Sequence, residues 1–346
     1  MKFIYLLFTL FLFSCSTQHH TNKIEGPRLG SGGERYVLVE GWGANNLKEV
    51  FIKNCNGLVI DAEQRLILLV DDPRNNVIVF DRQGKIIKTW TLNLKNAHGL
   101  AITKEGDKEV LFITDNGAGG HVYKTTLDGK VLMKLAYPKH TGKYRSAREF
   151  RPSAVMPAPN GDFYVLDGYG KNYVIQYSKE GKFIRIFGGD LGKGEAKIVK
   201  HGSHGGIVDN RDSKNPVIII AGSDQNNLKR FTLDGEYIDT IPMPGSNPRD
   251  IYIYQDKLYI PHLSSNWPKE KNAPGYVSVL DKDNRVIANI GGLEPKYEKG
   301  QLQKMSHHGH TFKHPHAVTM DKEGNLYVAQ WLSGKTWPLK FIRVKK

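Results

Sequence analysis

Cysteine is almost absent: Cys15 and Cys55 are the only two in 346 residues. If either is engaged elsewhere, no internal disulfide can form. Stability must then come from a large core, which a chain of this length can bury. Cys55 stands just ahead of the first repeated unit and reads as a small buried residue. Long apolar runs are equally scarce. The longest, Phe3–Phe13, is too short to cross a bilayer as a helix. With Lys2 before it and Ser14 after it, residues 1–14 read as a signal peptide. Extended helical periodicity is hard to find. The chain has no P-loop, no G-x-S-x-G elbow and no H-E-x-x-H helix, which argues against the phosphate, serine-hydrolase and zinc-protease chemistries that use them. Acidic residues are outnumbered, 35 against 49 basic ones, for a net charge of +14. That balance favours solubility or an anionic partner such as a glycan. Nucleic acid is not an expected partner for an exported chain with no recognition helix or RNA-binding motif.

What is present is repetition, and 36 glycines to turn it. One unit reads Gly57–Asp61, Arg65–Val70, Asn76–Phe80 and Gly84–Trp90, four short strands with turns between them. Another reads Ser153-Ala-Val, Gly161–Val165, Tyr173–Tyr177 and Gly181–Phe187. The turn before the fourth strand recurs as Asp81-Arg-Gln-Gly84, Leu127-Asp-Gly129, Ser178-Lys-Glu-Gly181 and Leu233-Asp-Gly235. Asp-Gly favours the turns that join antiparallel strands. Tandem four-stranded units predict an all-β fold, a six-bladed β-propeller over residues 35–346. The last unit supplies only three strands, ending in Leu339–Val344. Tyr36–Glu40 from the N-terminus is expected to complete it and close the ring. Residues 15–34, rich in Ser, Thr, His, Asn and Gly, read as a flexible tether.

The six units open at Asn56, His98, Ser153, His204, Arg249 and His316. Histidine therefore occupies alternate units, and the intervals 98 to 204 and 204 to 316 each span two blades. The first strand of each blade lines the channel of a propeller, so three imidazoles are expected to meet on its axis. Three neutral imidazoles leave one coordination position for water or substrate, as a catalytic zinc requires, although imidazole also suits iron, copper and nickel. Tyr169, flanked by Gly168 and Gly170, follows the second strand of blade three at the same rim. Arg74 stands at the corresponding loop of blade one, within pairing reach of Asp71 and Asp72. Asp224, His262 and Trp331 follow second strands in blades four, five and six, and the segment Ser306–His316 is rich in histidine. His314, His262 and Asp224 are candidate residues behind the ligands.

Two resemblances extend this reading. Leu12-Phe13-Ser14-Cys15 resembles the lipobox of bacterial lipoproteins. It implies cleavage before Cys15, lipidation of its thiol, and an exported protein anchored to a membrane, in the outer membrane at its periplasmic or surface face. The repeats resemble NHL repeats. With Asp167-Gly-Tyr-Gly170 and the Gly181-Lys-Phe phrase, the stretch from Asn56 to Val344 resembles the lyase domain of peptidyl-α-hydroxyglycine amidating lyases. That resemblance implies zinc on His98, His204 and His316, Tyr169 as base, a functional arginine at Arg74, and release of a peptide amide and glyoxylate. The chain departs from the family beside the third ligand. His314 replaces a methionine, and Ala317 replaces an aspartate that helps bind structural calcium, so Ca2+ is not expected even though Leu100 matches a backbone contact to it. Other readings stay open: a metal-dependent lyase or hydrolase acting on an anionic polysaccharide, or a non-catalytic propeller with a structural metal. The expected assembly is a monomer.

Overall fold

The computed structural model describes residues 26–44, 50–199, 202–264, 267, 269–334 and 337–344. Residues 1–14, expected to be a signal peptide, and Cys15 lie outside these residues. The short Val/Ile/Leu/Phe/Tyr runs form strands because β-branched and aromatic side chains pack well on a pleated surface. Six antiparallel four-stranded sheets result. Their innermost strands are Cys55–Ile60, Ala97–Glu105, Ala154–Pro157, Gly205–Asp209, Tyr252–Tyr254 and Pro315–Met320. The outermost strands of blades one and two, Ile86–Trp90 and Val131–Leu135, are largely solvent-facing, whereas those of blades five and six, Val286–Ile290 and Tyr36–Leu38, are mostly buried. A small two-stranded hairpin, Tyr297–Glu298 with Gln301–Leu302, is appended after blade five.

The core is divided into six apolar layers, each sandwiched between adjacent blades. Leu58, Leu68 and Val70 of blade one meet Ala317, Tyr327 and Ala329 of blade six in one of them. Cys55 is buried in this layer, and burial pushes its thiol up to about 12, which leaves it inert. Turn glycines help the blades nest. Gly129 (φ +86°) and Gly235 (φ +89°) sit against Trp90 and Phe187 of the preceding blade. A Cβ at either position would meet the ring at 2.7 and 2.6 Å respectively. Only glycine supplies both the backbone conformation and the room.

The ring closes as the repeats require. Tyr36–Leu38 pairs antiparallel with Leu339–Arg343, so blade six takes its fourth strand from the N-terminus. Packing reaches further back than a tether ending at residue 34 would allow. Leu29 bridges to Tyr36, and Glu34 is buried, accepting hydrogen bonds from Tyr36, Tyr259 (2.7 Å) and Arg343 (2.6 Å). Part of the expected tether thus belongs to the closure, because the carboxylate is needed to satisfy the buried phenols and guanidinium.

Candidate metal centre in the axial channel

The innermost strands deliver the three histidines by a shared local irregularity. Register shifts fall between Cys55 and Gly57, between Ala97 and Leu100, and between Pro315 and Ala317. Each bulge leaves residues out of the ladder, at Asn56, His98–Gly99 and His316, and re-aims their side chains. His204 immediately precedes its strand, with its amide bonded to the carbonyl of Ala221. The three imidazoles then stand at the corners of a nearly equilateral triangle, with ring centroids 4.8, 4.9 and 5.0 Å apart. Their candidate ligand atoms all lie within 4.8 Å of one another, the single such His/Cys/Asp/Glu group found among the described residues.

Each histidine is oriented by the next blade. His98 Nδ1 lies 2.8 Å from the carbonyl of Ser153, His204 Nδ1 2.7 Å from that of Arg249, and His316 Nδ1 2.7 Å from that of Asn56. A carbonyl only accepts, so Nδ1 carries the proton and Nε2 keeps its lone pair. The six equivalent positions thus alternate as imidazole and supporting carbonyl around the whole ring. Burial holds all three histidines neutral: His98 is lowered to about 4, while His204 and His316 fall well below their ordinary value, helped by the positive charge of Arg249. Neutral imidazoles with inward lone pairs and hydrogen-bonded outer nitrogens are the donor set a divalent metal requires.

Tyr169 completes the cluster. Its hydroxyl lies 2.9 Å from His204 Nε2 and 3.2 Å from His98 Nε2, and it donates to one of these lone pairs at a time. The loop that carries it is pinned by Asp167. That carboxylate accepts from the amides of Arg151 and Lys171 and from the Tyr144 hydroxyl. Gly168 is obligatory here, since a Cβ would meet the carbonyl oxygen of Ser203 at 2.1 Å. Burial raises the Tyr169 phenol, and Arg249 and Arg151 oppose that rise.

Above the cluster opens a cavity of about 660 Å³. It is lined by His98, His316, Tyr169, Arg249 and Asp224 and walled by Trp267 and Trp331. Arg249 is the residue that sequence reasoning passed over. It is only 6% exposed, and its Nε has no hydrogen-bond partner among the described residues. A buried guanidinium with an unpartnered Nε beside an open cavity, with Asp224 as the acidic group nearby, is suited to receive an anion. The signal for it was its place as the blade-five counterpart of the histidines.

The structure does not bring Arg74 into this group. Its guanidinium forms a bidentate pair with Asp72 (2.8 and 2.7 Å) and lies 3.4 Å above the Phe51 ring, outside the cavity lining. A carboxylate two residues away captures it locally. Asp224 and Trp331 do line the cavity. His262 does not: it is fully buried at the end of its strand, bonded to Ser278 (2.8 Å) and packed on Tyr276. His314 stands behind the wall, its Nδ1 3.2 Å from the Trp331 carbonyl and its ring beside Trp267. Ala317, where the resembled family has an acidic side chain, packs its methyl into the layer between blades six and one.

On the other side of the histidines, an apolar channel of about 480 Å³ is lined by Leu58, Leu100, Met156, Ile207 and Ile251 and contains Asp250. Burial pushes the Asp250 carboxyl up to about 7. A carboxyl whose folded-state value is raised stabilises the fold most while it is protonated, and that contribution is lost as pH rises through about 7. Asp250→Asn is therefore expected to raise the melting temperature by several degrees at pH 8 and to leave it unchanged near pH 4. Thermal scans at the two pH values check this, and an equal effect at both would refute it.

The fold and site together define a six-bladed β-propeller with a histidine cluster on its axis. No protein-family model matches the chain. It is 27% identical to NHL repeat-containing protein 3 of Mus musculus over 155 residues, 43% of each chain. It is 33% identical to peptidyl-alpha-hydroxyglycine alpha-amidating lyase 1 of Drosophila melanogaster over 110 residues, 30% of this chain and 19% of that one. The chain thus spans less than half the length of either relative. Among solved structures, virginiamycin B lyase of Staphylococcus aureus superposes with a TM-score of 0.54 at 14% identity, covering 84% of this chain and 95% of that one. A Bacteroides thetaiotaomicron protein of unknown function gives 0.58 at 13%, covering 91% and 76%. Identities this low establish the shared fold alone. The chain is an NHL-like six-bladed β-propeller, with weak sequence similarity to an amidating lyase.

Proposed function

We propose that this propeller is a metal-dependent lyase that splits a C-terminal α-hydroxyglycine into an amide and glyoxylate. The observation that carries the reading is the convergence of three lone-pair nitrogens with a buried phenol in hydrogen-bond reach of two of them. His98, His204 and His316 would hold the metal, zinc by preference. When bound, it would supply a Lewis acid and favour the phenolate form of the neighbouring tyrosine.

The chain's own residues account for the rest. Arg249 receives the substrate carboxylate through its unpartnered Nε and fixes the hydroxyl-bearing carbon beneath Tyr169. Tyr169, as phenolate, takes the hydroxyl proton. The oxygen's electron pair closes the C=O bond of glyoxylate as the C–N bond breaks. Tyr169 then returns the proton to the departing amide nitrogen, so atoms and charge balance. Asp167 holds the loop in place throughout. Arg249 takes here the part that the family resemblance gave to Arg74.

The test is elemental analysis of the purified protein followed by an assay of glyoxylate release from an N-acyl-α-hydroxyglycine. About one metal per chain together with glyoxylate supports the reading. Metal without glyoxylate moves the assignment to the anionic-polysaccharide reading, and absence of metal would sink the site. In the same proposal the protein is held at a bacterial membrane by lipid on Cys15. Cys15→Ala is then expected to move it from the membrane to the soluble fraction, and unchanged fractionation would refute the anchor.

A further inference from the structure

One part of the cavity lining is apolar, beside the polar Lys53, Asn54 and Asp71, and it is built at the expense of backbone comfort. Trp267, Trp331, Leu263 and Leu332 line it. The indoles of Trp267 and Trp331 meet at 77° with centroids 5.3 Å apart. His314, at φ +57°, braces them from behind: its carbonyl accepts from the Trp331 amide and its ring packs on Trp267. Leu332 holds φ +47°, a conformation that a side chain branched beyond Cβ rarely adopts, and its side chain is 44% exposed. Nothing in the core rewards that placement. Its amide is instead fixed by Asn54 Oδ1 (3.0 Å), and Asn54 is in turn held by Asp71 (2.8 Å). Strain kept in place by a dedicated bracket marks a position where the side chain is wanted for a ligand.

We infer that Trp267, Trp331 and Leu332 form a specificity pocket for a bulky apolar side chain on the residue preceding the α-hydroxyglycine. The inference rests on the lyase reading for which residue is cleaved, and on the cavity geometry alone for the preference. Two indoles meeting at 77°, with Leu332 on the same lining, form a corner, and a corner encloses a phenylalanine- or leucine-sized group. Arg249 in the same lining fixes the carboxylate end, so the substrate class is a peptidyl acid with an apolar penultimate residue.

Binding of two unreactive probes tests this by calorimetry on the metal-loaded protein: N-acetyl-phenylalanyl-glycine and N-acetyl-glycyl-glycine. The phenylalanyl probe is expected to bind at least about tenfold more tightly, the preference that burying one aromatic side chain confers. Trp331→Ala and Leu332→Gly are each expected to reduce that ratio to about twofold while leaving the affinity of the glycyl probe unchanged. Leu332→Gly also relieves the strained backbone, so it retains the fold even if Trp331→Ala does not. Equal affinity for the two probes, failure of both to bind, a ratio unaltered in Leu332→Gly, or tighter binding of galacturonate than of either peptide would overturn the pocket. Neither probe carries a hydroxyl, so the preference is read without turnover. A preserved preference with no glyoxylate from the hydroxylated substrate overturns the lyase reading and leaves the pocket standing.

Discussion

Replacing His204 by alanine is expected to empty the axial site of metal and to cut glyoxylate release by about a thousandfold. His204 is one corner of a nearly equilateral cluster: its ring is 4.8 Å from that of His98 and 5.0 Å from that of His316, and its Nε2 is 2.9 Å from the Tyr169 hydroxyl. Two remaining imidazoles make a weak site for a divalent ion, since a closed or catalytic zinc site takes at least three protein ligands. Losing the Lewis acid removes several kcal/mol of transition-state stabilisation, and about 4 kcal/mol corresponds to a thousandfold in rate. The fold is expected to survive. The ladder bond here runs from the His204 amide to Ala221 and does not involve the imidazole. The cost is the Arg249 carbonyl left without its donor, about 1–3 kcal/mol for a buried group. Elemental analysis and a melting curve of the variant decide the matter. Wild-type metal content in His204→Ala would remove the histidine triad as the metal site, and loss of metal only through global unfolding would favour a structural role.

The second large effect belongs to Tyr169→Phe. The substitution keeps the ring that packs edge-on against His98 and His204 and deletes only the hydroxyl between them. General-base catalysis of this kind contributes about 10²–10⁴ in rate, so kcat is expected to fall within that range. Metal content and KM should stay near wild type, because the Nε2 lone pairs and Arg249 are untouched. This split separates a catalytic phenol from a merely structural one, which would alter stability or affinity and spare kcat. A kcat within a factor of about three of wild type would exclude Tyr169 as the base.

The sequence reached some parts of this site and missed others for identifiable reasons. His98, His204 and His316 were legible because each opens the innermost strand of a unit whose other three strands could be counted. Tyr169 was legible from its place after the second strand of blade three; its flanking glycines serve close packing against the Ser203 carbonyl and Asp167, not a positive φ. Arg74 was assigned from loop position. Pairing with Asp71 or Asp72 was the open alternative at that position, and the structure shows it with Asp72. His262 was expected at the rim, but its strand carries it one step further, beneath Tyr276. Arg249 was visible as an opening residue, but its burial and unused Nε were not.

By itself the sequence determined the β class, the six-fold repetition, the closing strand and the identities of the groups at the channel entry. These follow from local rules: alternation along a strand, turn chemistry at Asp-Gly, and a fixed repeat length. Only the tertiary structure decided what those groups do to one another. The carbonyls that set the histidine tautomers come from the next blade, 55, 45 and 260 residues away in the chain. The arginine at the cluster is Arg249 and not Arg74, and the corner of Trp267, Trp331 and Leu332 exists only where the rims of two blades meet. Such contacts depend on the ring having closed, and no local pattern encodes which side chain then finds a partner and which is left facing the cavity.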